Sequence, residues 1–212
     1  IGKSQEMLFN IHRFKQQGVI PANTPVYFGG LSAKVSLLYD RFAGLTRRHD
    51  HEFKLKEEIK TVPLPRKGKA PLVCSPGNIY VVSSGMMTEN TLSNVMAEQV
   101  LPHEKNAILF VGYADPDSPA GRLRAAQEGD LVKMRPNGQP VRRNCTVDCF
   151  DFSGHATRDA LVNYAVKLNP RQVVLVHGDP DAVEWMHDTL SARMPDSTII
   201  APVPGQRYTF ES

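Results

Sequence analysis

Short, continuously apolar runs alternate with stretches of helical period along most of this chain, and that alternation limits the fold more than any other feature. Residues 107–111 and 172–176 are apolar almost throughout rather than at every second position, as in strands covered on both faces. Strands separated by helices pair in parallel, which makes the predicted class α/β with a mainly parallel sheet. Ligands of such sheets gather at the carboxyl ends of the strands.

Ser4 is placed to cap a helix beginning near Gln5, with Met7, Leu8, Ile11 and Phe14 on one face and Gly18 as its stop. A strand is predicted at 24–28. Gly29 and Gly30 then turn into a second amphipathic helix whose buried side is Leu31, Val35, Leu38, Tyr39 and Phe42. Residues 46–71, rich in Lys, Glu and Pro, read as a solvated excursion that is helical in part. Beyond it come a β-rich run at 78–83, a helix at 89–100 and a strand at 107–111. From Leu131 the pattern becomes strand, Asn137-Gly138 turn, and a long second arm over 142–152, a hairpin signal. A helix over 158–167, a strand over 172–176, a helix over 181–194 and strands at 198–201 and 207–210 complete the chain. The change near 140 divides it into two predicted domains, 1–140 and 141–212.

Composition excludes several classes. The 212 residues are 41% hydrophobic and 22% charged, with mean hydropathy -0.31, the profile of a folded globular protein rather than a disordered or membrane one. No apolar run approaches the ~18–20 residues of a membrane span. Cys74, Cys145 and Cys149 are odd in number and no signal-like segment accompanies them, so they read as reduced thiols of a cytoplasmic protein. A net charge of +3 is compatible with a polyanionic partner without requiring one. Ile1 stands where a Met would begin a chain, and a helix follows almost at once, so the chain is expected to start inside a larger domain.

Two histidines follow apolar runs directly. Residues 173–176 lead into His177-Gly178-Asp179, and residues 149–152 into Ser153-Gly154-His155-Ala156-Thr157. A side chain fixed at a sheet's rim suits a metal ligand or a general acid, although either histidine alone is more often structural.

The surrounding words change that balance. Ser-Gly-His-Ala followed by Leu-Val-His-Gly-Asp resembles the last two motifs of the β-CASP nucleases, the metallo-β-lactamase branch that includes RNase J. Gly2-Lys3-Ser4-Gln5-Glu6 resembles the segment that opens a helix in that family's cap domain. Ser83-Ser84-Gly85-Met86-Met87 is similar to its Ser-Pro-Gly-Met-Met loop, and Val111-Gly112-Tyr113 to its Gly-Tyr strand end. The words occur in the family's order and cover nearly the whole chain. One departure is Asp115-Pro116-Asp117-Ser118-Pro119 in place of the family's Glu-Gly-Thr, which puts the shape of that loop in question.

The resemblance implies a β-CASP cap domain over 1–140 and the returning C-terminal part of the metallo-β-lactamase αββα fold over 141–212. It implies hydrolysis of an RNA, or single-stranded DNA, phosphodiester with two Zn2+ in the complete protein. His177 is then a zinc ligand and His155 the proton donor to the leaving oxygen, or a hydrogen-bond partner of the transition state. Lys3, Ser84 and Gly85 are candidate phosphate-binding residues, from a point charge and a Gly-rich turn feeding a helix. Met86 and Met87 read as packing residues before base supports. Asp179 supports His177 from behind or, with more weight, caps the helix after Pro180. Asp151 is a supporting carboxylate or a solvated strand residue.

Other features carry less. Gly2-Lys3-Ser4 ends a Walker A pattern, but Gln5-Glu6 continues the β-CASP word instead. His49-Asp50-His51 lies in a charged stretch and reads as an exposed helix end. Cys145 and Cys149 lack partners at zinc spacing and read as buried thiols. The superfamily's His-x-His-x-Asp-His run is absent from these 212 residues. The chain alone is therefore expected to bind little metal and to be inactive, with the N-terminal metallo-β-lactamase portion as a required partner beside the nucleic acid; a homodimer stays open, and no membrane is involved. The alternatives are a catalytically inactive β-CASP-like scaffold subunit of an RNA-processing complex, and a hydrolase of small phosphoesters.

Overall fold

The computed structural model describes residues 2–45, 52–64, 73–83, 85–152 and 154–209. It is α/β, with parallel strand pairs joined by helices, and contacts divide it into two compact units, Ile1–Phe152 and Ser153–Ser212. Among the described residues no helix is long and apolar enough to cross a membrane.

The first unit opens with α1 (Lys3–Gln16), capped at its start by Gly2 without any side-chain bond. Ser4 lies inside the helix, 3.5 Å from the Ser32 hydroxyl, so it is not the predicted cap. Gly18, with φ 72, closes the helix as expected of a left-handed position. Strand β1 (Val26–Phe28) is the middle of three, flanked in parallel by β2 (Val62–Pro63) and β3 (Ile79–Val81). Val26 faces Ile79 and Phe28 faces Val81 in register, so β1 and β3 end level.

Helix α2 (Gly30–Arg41) turns a different face inward from the one predicted. Ser32 and Ser36 are buried, whereas Leu31, Leu38 and Phe42 are 73%, 54% and 45% exposed. The reason is Gln5 of α1, itself buried, whose Nε2 donates to Ser32 O at 3.1 Å and Ser36 Oγ at 3.0 Å. A buried amide must be paired, and small hydroxyl residues let two helices approach closely enough to pair it. The 46–71 excursion is also corrected. Short helix α3 (Leu55–Glu58) and β2 lie within it, and Leu55, Ile59 and Leu64 are buried at 5%, 7% and 8% exposure. Asp40 of α2 pins it by accepting the Leu55 and Lys56 N–H groups at 2.9 and 3.0 Å.

A second core of this unit gathers Leu101, Leu123 and Met134, all at 0% exposure, with Ala97, Phe110 and Cys145. It lies under α4 (Leu92–Val100), capped by Thr91, strand β4 (Ala107–Phe110) and α5 (Pro119–Ala125), capped by Ser118. Each fully buried aliphatic side chain contributes about 1.5–3 kcal/mol. The predicted hairpin is shorter than its sequence signal: β5 (Leu131–Val132) pairs antiparallel with β6 (Val141–Arg142), and eight residues lie between the paired Val132 and Val141. The long second arm instead departs to form β7 (Thr146–Cys149), parallel to β4.

The second unit runs α6 (Arg158–Leu168), β8 (Gln172–Val174), α7 (Pro180–Arg193) and β9 (Thr198–Ile200), with β8 and β9 parallel. Val162, Leu190 and Met194 form its small core. The strand expected at 207–210 is not formed by 207–209, and Phe210 lies outside the described residues; the Tyr208 hydroxyl instead accepts from Val203 N and donates to Gln206 Oε1.

The cysteines divide. Cys145 is buried while Cys149 is exposed, so only the first is the buried thiol expected. Burial pushes the Cys145 thiol up, against the opposing pull of Arg143. Native protein treated with an aromatic disulfide reagent should lose the Cys149 thiol rapidly and the Cys145 thiol only on unfolding, because the thiolate is the reacting form. Equal rates at the two, read by peptide mass mapping, would contradict this burial.

Candidate active-site residues

Three of the words singled out in the sequence meet at the carboxyl ends of β3 and β4. Lys3, in the first turn of α1, lays its side chain against Gly112: a Cβ built on Gly112 would stand 3.0 Å from Lys3 Nζ and 3.5 Å from its Cδ. A Cβ on Gly85 would lie 3.9 Å from Tyr113 O, and Ala120 N donates to Met86 O at 3.2 Å. Lys3, Gly85 and Gly112-Tyr113 thus share one rim. Lys3 is half-buried and makes no ion pair among the described residues, which leaves its ammonium available to an anion. Ser84, the remaining phosphate candidate, lies outside the described residues.

Met87 is 8% exposed in the core and Met86 packs against it, so both serve packing. Met86 Sδ also accepts from Asp115 N at 3.3 Å. The departing Asp-Pro-Asp-Ser-Pro loop is a tight capped turn. Ser118 Oγ donates to Asp115 O at 2.6 Å and accepts from Gly121 N at 3.0 Å.

Gly112 was legible only as part of a word; its role as the seat of Lys3 needs the fold. A methyl group there should displace the lysine side chain while leaving the backbone in place. In the RNA-binding role proposed below, Gly112→Ala is expected to weaken binding of a single-stranded RNA oligonucleotide several-fold and to flatten its salt dependence by about one phosphate contact, read by fluorescence anisotropy. An unchanged salt slope would remove Lys3 from the phosphate-binding set.

In the second unit the two histidines hold equivalent places. His155 lies two residues before Thr157, the N-cap of α6, and His177 two residues before Asp179, the N-cap of α7. The helices run in the same direction. Arg158, first in α6, stacks 4.6 Å over the Trp185 ring early in α7, and Asn163 further along receives a 3.0 Å bond from Arg193 at the end of α7. Both N-termini, and with them both histidines, therefore lie at the carboxyl end of β8. Both histidines are exposed.

His177 adopts φ 65, a left-handed conformation that costs a residue with a Cβ roughly 1–2 kcal/mol. Glycine would be the unstrained choice. Such strain retained at a rim position points to a constraint on the side chain rather than on the backbone. Gly178 beside it needs its lack of a side chain for packing, since a Cβ there would sit 3.0 Å from Val183 Cγ2. His177 also borders a groove closed by Pro202, Val203 and Gln206.

Asp179 is the N-cap by backbone geometry, followed by Pro180, yet its side chain makes no capping bond. The capping role favoured from sequence is thus not performed by the carboxylate. Asp151 is exposed just past the end of β7. His49, Asp50 and His51 lie outside the described residues.

The donor set can be tested against a zinc centre. Among the described residues no three His, Cys, Asp or Glu side chains converge to hold a metal, whereas a structural zinc takes four ligands and a catalytic one at least three. These residues do not by themselves fit such a centre.

Comparison with known proteins agrees with the order of these words. The Beta-Casp domain model matches residues 4–123, and the model described as Zn-dependent metallo-hydrolase RNA specificity domain matches residues 140–202. Relatives include the transcription termination factor FttA of Pyrococcus abyssi, 26% identical over 85% of this chain and 29% of that protein. Cleavage and polyadenylation specificity factor subunit 3 of Dictyostelium discoideum is 22% identical over 100% of the chain and 27% of its own length. Endoribonuclease YSH1 of Mycosarcoma maydis is 22% identical over 91% and 22%. The chain thus spans less than a third of each of these relatives. With a Beta-Casp match over more than half its residues, the chain belongs to the β-CASP family of metallo-β-lactamase nucleases.

Proposed function

We propose that this chain is the β-CASP and C-terminal part of a protein that hydrolyses phosphodiester bonds in single-stranded RNA, with single-stranded DNA as the alternative substrate. The observation that carries this reading is the equivalent placement of His155 and His177 before two co-directed helix N-termini, in a family whose relatives include a protein named an endoribonuclease. His155, exposed and held beside the α6 cap, donates a proton to the departing 3′ oxygen. Lys3 and the backbone at Ser84 and Gly85 grip a phosphate. Asp179, with its carboxylate free of the cap, orients the His177 ring.

Zinc belongs to the complete protein in this proposal. Two ions there would stabilise charge on the phosphate and supply hydroxide near neutral pH, and His177 would be one ligand among several. The remaining ligands come from a metallo-β-lactamase portion carrying the His-x-His-x-Asp-His run. The second unit supports the need for such a portion. Its described residues expose Leu161, Tyr164 and Leu168 on one face of α6, at 48%, 64% and 59%, an apolar face that a further portion would cover.

The test uses the complete parent protein and 5′-labelled single-stranded RNA. Cleavage accompanied by bound zinc is expected. RNA binding without cleavage under any metal supplement would favour the scaffold reading, and cleavage of small diesters without salt-dependent oligonucleotide binding would favour the small-substrate one. Within this protein His177→Gly separates ligand from backbone. It should relieve about 1 kcal/mol of strain, keep or raise the melting temperature, and still lower zinc content and cleavage. Full zinc content in that variant would remove His177 from the ligand set.

A further inference from the structure

A cavity of about 520 Å³ opens in the first unit among α1, α2, α3 and β1. Its floor is the core itself: Leu8, Phe28, Leu55 and Ile59 are between 2% and 7% exposed and face into it. This is the size of a cleft that takes a ligand or an anchoring side chain, and an aliphatic lining holds water poorly. The walls are fixed before anything binds, by Gln5 bonded to Ser32 and Ser36 and by Asp40 bonded to the first N–H groups of α3.

Around the opening stand Lys34, Lys56 and Lys60. Among the described residues none of the three makes an ion pair and no carboxylate lines the cavity. Glu57, the neighbour on α3, is engaged by Lys54 at 3.3 Å. An apolar pit ringed by three ammonium groups that make no ion pair among the described residues is complementary to an apolar group flanked by negative charge. A nucleobase is the poorer match. Its polar edges need partners, and the Ser36 hydroxyl is already committed, donating to Ser32 O at 3.0 Å and accepting from Gln5. Phe28 lies too deep, at 6% exposure, to offer a stacking face.

We propose that this cavity is a docking site for an acidic peptide segment of a partner protein, with one leucine- or phenylalanine-sized side chain in the pit and carboxylates on either side against Lys34, Lys56 and Lys60. The lining includes none of Lys3, Gly85 and Gly112, and its apolar floor and lysine rim match a peptide partner rather than a phosphate backbone. It stands or falls independently of the nuclease reading.

The experiment selects random phage-displayed peptides on the immobilised 212-residue chain, with counter-selection on K34E/K56E/K60E, whose melting temperature is first checked against the unaltered chain. Enriched peptides should share an aliphatic or aromatic residue flanked by Asp or Glu. Labelled with fluorescein, they should lose about tenfold or more in affinity on the triple variant, and weaken as sodium chloride rises from about 0.05 to 0.5 M. Ala33→Leu, which fills the cavity without altering charge, should reduce binding similarly. Enrichment of peptides without this pattern, equal binding to the triple variant, or an oligouridine probe occupying the site in place of the peptides would overturn the proposal.

Discussion

Replacing His155 with alanine should lower single-turnover cleavage of single-stranded RNA by the parent protein about 10²–10⁴-fold, the range of a positioned general acid. The start of α6 should be unaffected. His155 is exposed, and the helix start behind it is secured separately by Thr157, whose hydroxyl accepts from Ala160 N at 3.2 Å. Zinc content should stay at the level of the unaltered protein, since the ligand proposed in this unit is His177. The role can be separated from mere placement by leaving-group chemistry. An RNA with a sulfur in place of the 3′ bridging oxygen expels a thiolate that needs no proton, so the deficit of His155→Ala should shrink to less than about tenfold on that substrate. An equal deficit on both substrates would give His155 a role other than acid, and an undiminished rate on the natural linkage would remove it from the site.

The largest effect on stability is expected at Gly121. A Cβ there would stand 2.1 Å from Asp115 O and 2.6 Å from the Pro116 Cα, contacts with backbone that no side-chain rotation can relieve. The neighbourhood cannot give way cheaply. Ala120 and Leu123 are at 0% exposure, and Ser118 closes the turn by bonding both Asp115 O and Gly121 N. Gly121→Ala should therefore cost about 3 kcal/mol or more, lowering the melting temperature of a unit this size by roughly 6–12 °C. Ser118→Ala, which removes the cap and the bond to Asp115 O but introduces no clash, should cost about 1–2 kcal/mol. Calorimetry showing Gly121→Ala no worse than Ser118→Ala would mean that the loop after Gly112-Tyr113 is far looser than described.

The elements were legible because their signals are local. Apolar runs at 107–111 and 172–176 gave β4 and β8, and the Asp179-Pro180 start gave α7 within a residue. Faces were less legible, since they depend on what lies opposite. Hydrophobicity alone turns Leu31, Leu38 and Phe42 of α2 inward, but the buried Gln5 amide, on an element remote in sequence, demands Ser32 and Ser36 instead. Charge density in 46–71 likewise hid Leu55 and Ile59, whose four-residue spacing places them on one side of a very short element. At the candidate site, His155 and His177 stood out as words at element junctions. Their shared end of the second unit required the co-directed packing of α6 and α7, and the strained φ of His177 required the backbone itself. Gly112 and Gly121 look alike in sequence; only their neighbours, a lysine side chain and a fixed carbonyl, show that one seats a charge and the other closes a turn.

The central claim is that His155 and His177 are the trailing part of a zinc-dependent active site whose remaining ligands lie in another portion of the parent protein. Its most direct test is the zinc content and RNA-cleaving activity of the purified 212-residue chain, measured by elemental mass spectrometry and on labelled single-stranded RNA, with the complete protein alongside. The isolated chain is expected to retain well below one zinc per molecule and to cleave nothing, while the complete protein does both. Stoichiometric zinc together with cleavage by the isolated chain would contradict the claim.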